Sequence, residues 1–247
     1  MSNWWRATAG GLKMAASQAS FRSSSYHTIQ GIPREFTGCR VSTRDRAQGR
    51  IPAVVFTQDY LQPNPSPGAT RPVSRKHLLT TEKKQIQAIL KSVQLPFFYS
   101  TTFPLQIRAG PGSSTLLDSG TVLPIKVHRD QVTGRILNLV FVWADDGTEL
   151  KVDVPVVFKG EDISPGLKKG GRLNRIRTAL KYLCPAETIP PKIEVDISNL
   201  DIGDKVFMHN VKVHPSLKLL SKDESIPICK VVATNLDNPE SLPHSQS

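Results

Sequence analysis

The stretch FPLQIRAGPGSSTLLDSGTVLPIKVHRDQVTGRILNLVFVW, residues 103–143, consists of short apolar runs separated by turn residues. Residues 103–108, 122–127 and 136–143 are rich in β-branched and aromatic side chains, which favour strands. Gly110-Pro111-Gly112 and Thr133-Gly134 lie between these runs, where turns are expected. Several short strands joined by turns predict a small β-barrel or β-sandwich.

Upstream of this stretch, the sequence predicts further strands and one helix. Residues 51–56 (IPAVVF) read as a strand that begins near a proline, and the Pro- and Gly-dense residues 62–72 read as a surface loop. Residues 97–100 read as another short strand. An amphipathic helix of about three turns, capped by Thr80-Thr81 and ended by Pro96, is predicted from apolar residues at helical spacing. These residues are Ile86, Ile89, Leu90 and Val93.

Downstream, the turn residues Asp145-Asp146-Gly147 mark a domain boundary at about residue 145. The following part is predicted to form a second β-rich domain, because short apolar runs recur in it. These runs are residues 152–158, 193–197, 205–208, 211–213 and 226–232. The apolar positions within 168–181 fit helical spacing better than alternation. The predicted domains are residues 36–145 and 146–234, followed by a disordered tail at 235–247.

The positive charge is concentrated in the first part of the chain. The whole chain carries 32 Lys and Arg against 21 Asp and Glu, a net charge of +11. Residues 1–143 hold 18 basic against 6 acidic residues, whereas residues 144–247 hold 14 against 15. This asymmetry predicts that a polyanionic partner binds the first part. No apolar run approaches the roughly 18 residues of a membrane span, so we expect a soluble chain without a membrane partner.

The N-terminal residues 1–34 have the composition of an organelle transit peptide. They contain four basic residues, many Ser and Ala, and no acidic residue. The stretch Arg22-Ser23-Ser24-Ser25-Tyr26 is the expected region of cleavage. A basic disordered arm that binds RNA, or nothing, is the alternative interpretation.

Neither the cysteines nor known motifs indicate catalysis. Cys39, Cys184 and Cys229 are isolated, which predicts no zinc site and no disulfide framework and agrees with a reducing compartment. The chain contains no GxxxxGK(S/T) loop, GxSxG elbow or HExxH motif. We therefore expect no enzyme, no cofactor, no metal and no small-molecule substrate.

The basic stretch RVSTRDRAQGR, residues 40–50, is the candidate binding element. Guanidinium groups can pair with phosphates and guanine edges, and small hydroxyl side chains fit beside a nucleic-acid backbone. A flexible basic loop next to a barrel strand could become ordered on RNA. A solvated basic linker is the alternative interpretation of the same residues.

Four blocks of sequence resemble one known family. The first, Arg44 to Phe56 (RDRAQGRIPAVVF), is similar to the Arg-rich loop and following strand of the bacterial large-subunit ribosomal protein twenty-five family. Residues 154–161 (VPVVFKGE), 165–171 (PGLKKGG) and 189–204 (IPPKIEVDISNLDIGD) resemble the C-terminal domain of its longer members, the general stress protein Ctc type. The blocks occur in the family order and together span about residues 38–233.

This resemblance implies a mainly β protein with an N-terminal six-stranded β-barrel, one or two helices, and a C-terminal β-rich domain. The barrel is also similar to the anticodon-binding domain of glutaminyl-tRNA synthetase. The family places strands across residues 172–183, against the helical spacing noted above, and we follow the family there. Four positions depart from the family pattern: Thr43 replaces an Arg, Phe56 replaces a Tyr, and Asn138 and Val140 replace the His and Asp of its RNA-facing strand.

The function implied is that of a structural constituent of a large ribosomal subunit that binds 5S rRNA and contacts large-subunit rRNA and neighbouring ribosomal proteins. The leader suggests the organelle ribosome of a plant or alga, with the mitochondrion ahead of the chloroplast. A non-stoichiometric assembly factor or stress-related RNA-binding factor with the same fold is the alternative. The expected RNA-binding residues are Arg40, Ser42, Arg44, Arg46, Arg50, Arg129 and Arg135. A secondary RNA or protein contact is expected at Lys168, Lys169 and Arg172.

Overall fold

The computed structural model describes residues 27–57, 75–211, 213–221 and 225–234. Six strands form a closed barrel in the order β1-β3-β2-β6-β5-β4. Their bounds are Ile29–Pro33 (β1), Arg50–Phe56 (β2), His77–Glu82 (β3), Phe103–Arg108 (β4), Leu116–Arg129 (β5) and Ile136–Trp143 (β6). Three helices accompany the barrel: α1 (Cys39–Ala47), α2 (Lys83–Ser92) and α3 (Leu95–Phe98). The predicted six-stranded barrel is therefore confirmed.

The barrel closes because β1 pairs in parallel with β4, and Ile29 lies opposite Leu105. Alternate residues of each strand point inward, as the two-residue period of a strand requires. Ile51, Ala53 and Val55 of β2 are buried in this way and face the core of the barrel. On the opposite side of the same strand, Arg50 and Val54 are only partly covered.

The second part of the chain contains two small sheets. A four-stranded sheet has the order β10-β7-β9-β12, and a three-stranded sheet has the order β11-β13-β8. The strands are Glu149–Lys159 (β7), Arg172–Arg175 (β8), Ala179–Pro185 (β9), Ile193–Asp196 (β10), Lys205–Val206 (β11), Lys218–Leu219 (β12) and Cys229–Val232 (β13). One short helix, α4, spans Pro165–Lys168. The predicted β-rich second part is confirmed.

Part of the barrel wall belongs to the second core. Leu123, Val142 and Ala144 come from the barrel and the residue after it, yet they are buried in the same cluster as Val154 and Ile228. The Ser100 hydroxyl also donates a hydrogen bond of 2.7 Å to the carbonyl of Pro191. The barrel and the second part therefore pack directly against each other through apolar side chains.

Several expected boundaries are wrong. Thr80 and Thr81 do not cap α2 but are buried in β3, because this strand pairs with both β1 and β2 to complete the barrel. Residues 97–100 are not a strand: Pro96 lies in the first turn of α3, a position that proline favours, and α2 already ends at Ser92.

In the second part, residues 168–181 are not helical, and the strands β8 and β9 across 172–183 confirm the family expectation. The expected strand at 211–213 is absent from its described residues, and the strand at 205–208 gives way to a single 3-10 turn, Met208–Asn210. The expected strand at 226–232 starts only at Cys229.

The last residues of the expected leader, 1–34, overlap the first strand of the barrel. Residues Ile29–Pro33 form β1, and removal of this strand would open the barrel between β3 and β4. The expected cleavage region at residues 22–26 and the tail at 235–247 lie outside the described residues. No helix in the part that the structure describes is long and apolar enough to cross a membrane.

Candidate RNA interface

The basic stretch 40–50 is mostly a helix and not the flexible loop expected from its sequence. Helix α1 begins after Gly38, which has φ of 122°, and the chain leaves it through Gly49, which has φ of 77°. None of its side chains is fully buried, so it offers no apolar stripe from which a helix could be predicted.

Polar contacts hold α1 on the barrel. The Arg34 Nε lies 3.3 Å from Asp45 Oδ2, and Arg34 Nη2 donates a 2.8 Å hydrogen bond to Ser42 Oγ. The side chains of Arg34 and Asp45 are only 11% and 15% exposed, so solvent screens this pair weakly. Because Arg34 directly follows β1, these contacts fix α1 relative to the barrel before any partner binds.

Arg46 joins α1 to the neighbouring strand. Its Nη1 donates to the carbonyl of Leu137 at 3.3 Å, and its Nη2 donates to Thr43 Oγ1 at 3.3 Å. Arg40 and Arg44 are exposed and lie one helical turn apart. Arg44 is two residues from Arg46, about 200° around the helix, so these two guanidinium groups face opposite sides of α1.

Three adjoining depressions beside α1 are lined by basic side chains, and Lys83 contributes to all three. Its backbone N–H donates to the carbonyl of Gly49 at 2.9 Å, which places the start of α2 beside the turn between α1 and β2. We call this region the basic surface. It consists of Arg46, Arg50, Lys83, Lys84, Lys91, Arg129 and Arg135.

The acidic groups that line the basic surface are few. Glu82 and Asp130 are the carboxylates among the described residues of the three depressions. The Thr133 hydroxyl donates to Asp130 and, together with the N–H of Val132, lowers the pKa of this carboxyl. Asp130 thus shapes the β5–β6 turn that carries Arg129 and Arg135. Seven cations against two carboxylates leave a strongly positive field.

The structure brings together four of the expected RNA-binding residues: Arg46, Arg50, Arg129 and Arg135. It does not place Arg40 and Arg44 in the same depressions. The Ser42 hydroxyl accepts a hydrogen bond from Arg34 and so helps to position α1.

The expected secondary contact is not one cluster of free cations. Lys169 forms an ion pair with Asp201, whereas Lys168 and Arg172 are exposed.

The lysines of α2 lie outside the set of residues predicted to bind RNA. Lys83, Gln87 and Lys91 recur every four residues and therefore share one helix face, about 130° around the helix from the buried Ile86 and Ile89. That spacing was the available signal, but it could not show that this face turns towards α1.

The outer face of the barrel next to α1 carries two more basic side chains. On β5, His128 lies directly opposite Asn138 of β6, and Lys126 lies opposite Val140. Directly opposed residues of paired strands project to the same side of a sheet. Lys126 and His128 therefore flank the two positions where the family pattern would have His and Asp.

Comparisons with known proteins identify the family. The family model "Ribosomal protein TL5, C-terminal domain" matches residues 149–235. The large ribosomal subunit protein bL25 of Novosphingobium aromaticivorans is 30% identical over 200 residues, which cover 81% of this chain and 86% of that protein. The chain belongs to the bL25 family.

Two further bL25 proteins show the same similarity. The protein from Orientia tsutsugamushi strain Ikeda is 29% identical over 83% of this chain and 87% of its own length. The protein from a Chelativorans species is 35% identical over 58% of this chain and 69% of its own length. Together with the match to the C-terminal domain, these relatives place the chain among the long bL25 proteins. Membership of this family of ribosomal proteins bears out the expectation that the chain is not an enzyme.

One residue that departs from the family pattern, Phe56, lies where the barrel contacts the second part. Phe56, at the position of the family Tyr, packs partly buried against the core of the second part. Its ring therefore contributes to the contact between the barrel and that core.

Proposed function

We propose that this bL25-family chain, a structural component of a large ribosomal subunit, binds 5S rRNA through the basic surface of its barrel. The observation that carries this proposal is the convergence of seven cations from α1, α2, β2 and the β5–β6 turn on adjoining depressions. Such a concentration of Lys and Arg is the electrostatic footprint of a nucleic-acid phosphate backbone.

The parts of the surface would have different roles. The α2 lysines and the Arg129–Arg135 turn contact phosphates, which fixes position but does not read sequence. Arg46 is already oriented by Leu137 and Thr43, so little side-chain freedom is lost when it binds. His128, Lys126 and Asn138 lie on the outer barrel face with hydrogen-bonding groups suited to base edges or ribose hydroxyls.

We place the protein in an organelle, with the mitochondrion ahead of the chloroplast. The support is the basic, acid-free composition of the residues before β1. An import assay with isolated mitochondria and chloroplasts tests this placement. Uptake by chloroplasts alone, or by neither organelle, would contradict it.

Sedimentation of organelle ribosomes tests the ribosomal assignment. We expect the chain to co-migrate with 5S rRNA in mature large subunits and to remain there after a high-salt wash. A chain found only with precursor particles would instead be an assembly factor with the same fold. Reconstitution with purified 5S rRNA then tests the direct contact: binding should weaken steeply as salt increases, because phosphate contacts release counterions.

A further inference from the structure

The three-stranded sheet of the second part has one apolar and one basic face. Val206, Cys229 and Val231 project into the core. The strand register places Lys205 directly opposite Lys230, and Lys230 directly opposite Asn174. Since opposed residues project to the same side, all three lie on the outer face.

Arg172 belongs to the same outer face. It lies opposite Val232 of β13, two residues from Lys230, and residues i and i+2 of a strand share a face. Lys205, Asn174 and Arg172 are exposed, while Lys230 on the central strand is partly covered by its neighbours. We call Lys205, Lys230, Asn174 and Arg172 the lysine face.

The lysine face differs from most other basic side chains of the second part, which form ion pairs. Six other Lys and Arg residues there form ion pairs with carboxylates: Lys159, Lys169, Arg175, Lys181, Lys192 and Lys218. Among the described residues, no carboxylate lies within ion-pair distance of Lys205, Lys230 or Arg172. Lys168, likewise without an ion pair in the described ranges, ends helix α4 beside β8.

An unneutralised lysine pair across two strands destabilises a sheet, because like charges directly opposite each other repel. A binding partner that carries negative charge would remove this penalty. We propose that the lysine face binds the phosphate backbone of ribosomal RNA, as a second RNA contact separate from the basic surface. This proposal rests on the ribosomal function proposed above.

The composition of the face favours RNA over an acidic protein. Protein interfaces are enriched in aromatic residues and depleted in Lys, whereas the four side chains of the lysine face are all polar or charged. Lys, Arg and Asn are the side chains that contact phosphate and sugar oxygens. Their spacing of about 5 Å across strands and about 7 Å along a strand lets several of them contact neighbouring phosphates together.

The test uses the full chain and a 20-base-pair RNA duplex unrelated in sequence to 5S rRNA. The variant Lys205→Gln/Lys230→Gln is compared with Lys192→Gln/Lys218→Gln, which removes the same charge from two ion-paired lysines of the same part. Each double substitution is also combined with Arg46→Gln/Lys83→Gln, which removes two positive charges from the basic surface and so weakens RNA binding there. Affinity is measured by fluorescence anisotropy as a function of salt.

In the weakened chain, we expect Lys205→Gln/Lys230→Gln to reduce the salt slope by about 2 relative to its matched control. Two phosphate contacts at about 0.9 each lower the slope by about 1.8, so, if variant and control bind equally at 1 M salt, the variant binds about 60-fold more weakly at 0.1 M. The unfolding midpoint should be equal to or above that of the parent chain, because a like-charge pair is removed. Should the double variant unfold, Arg172→Gln tests the same face with an expected slope reduction of about 1.

Equal salt slopes for Lys205→Gln/Lys230→Gln and for its matched control would overturn this proposal. The barrel proposal would still stand, because it is tested separately by the binding of 5S rRNA to Arg46→Gln/Lys83→Gln. If Arg46→Gln/Lys83→Gln binds 5S rRNA as tightly as the unmodified chain, the barrel proposal is overturned instead. If a poly-glutamate peptide binds the lysine face more tightly than the duplex at equal charge, the partner is an acidic protein and the RNA assignment is wrong.

Discussion

Replacing Lys83 by glutamine should weaken the binding of 5S rRNA without disturbing the fold. The side chain lines all three depressions of the basic surface, whereas its structural contact, the bond to Gly49, uses the backbone N–H. Glutamine retains most of the aliphatic stem and removes only the charge. The substitution therefore tests whether α2 forms part of the RNA interface.

The magnitude follows from counterion release. Each phosphate contact contributes about 0.9 to the dependence of log affinity on log salt, so loss of one contact reduces the slope by about 0.9. If the two proteins bind equally at 1 M salt, the variant binds about eightfold more weakly at 0.1 M, since 0.9 logarithmic units separate them there. The corresponding loss of binding free energy, about 1.2 kcal/mol, exceeds the free energy that an exposed ion pair usually contributes.

Fluorescence anisotropy with labelled 5S rRNA over 50 to 400 mM salt measures both affinity and slope. The matched control is Lys181→Gln, which removes the same charge from an exposed lysine that pairs with Asp153. We expect the control to keep the slope of the unmodified chain. An equal loss in both variants would show that net charge alone governs binding, and an unchanged slope for Lys83→Gln would exclude α2 from the interface.

Three further outcomes are expected. Of the three cysteines, only Cys39 should react with a thiol reagent in the folded chain, and bound 5S rRNA should slow this reaction because α1 adjoins the interface. Gly120→Ala should lower stability by about 1–3 kcal/mol, since the added Cβ would lie 2.8 Å from the ring of Trp143, and thermal unfolding measures this. Asp118→Asn should remove an acid-dependent loss of stability. The hydrogen bond from Arg75 holds the pKa of Asp118 below its ordinary value of 3.8. The Arg75–Asp118 pair therefore stabilises the fold above pH 3.8, and this stabilisation is lost as the pH falls through the lower pKa of the folded state.

The controls for these outcomes come from the same chain. Cys184 and Cys229 are buried, and burial raises the pKa of the Cys184 thiol to about 11, so both should react only after unfolding. Reaction of either in the folded chain would contradict the described core. Gly110→Ala should have little effect, as no atom lies within 4 Å of its added Cβ. For Asp118→Asn, an unchanged pH profile below pH 4 would show that the Arg75 pair does not stabilise the fold.

Local sequence signals predicted the regular parts of the barrel. Strand β4 alternates inward-facing apolar residues with outward-facing residues, and β6 is a nearly continuous apolar run, so both were found with correct ends. The apolar stripe of α2 predicted a helix, but its start was misplaced at Thr80-Thr81. Those residues have partners on two strands that are distant in sequence, and pairing of this kind leaves no local trace.

The candidate site was predicted in part for a similar reason. The charge asymmetry and the arginines of residues 40–50 indicated where an anion is expected to bind, and the resemblance of four sequence blocks indicated the family. The helical form of α1 was missed because Arg34, Asp45 and Ser42 stabilise it through polar contacts with the end of β1, not through an apolar stripe. Likewise, nothing in the sequence showed that Arg44 and Arg46 would face opposite sides.

By itself, the sequence determined that this chain is a basic, mainly β protein of the long bL25 type, because composition, strand periodicity and family blocks are properties of neighbouring residues. Tertiary structure alone decided which cations lie close together. Lys83 meets Arg46 and Arg135 because the closed barrel brings α2 beside α1 and the β5–β6 turn. Lys205 meets Lys230, 25 positions later in the chain, through strand register. Electrostatic fields depend on distances in space, and only the folded backbone sets these distances.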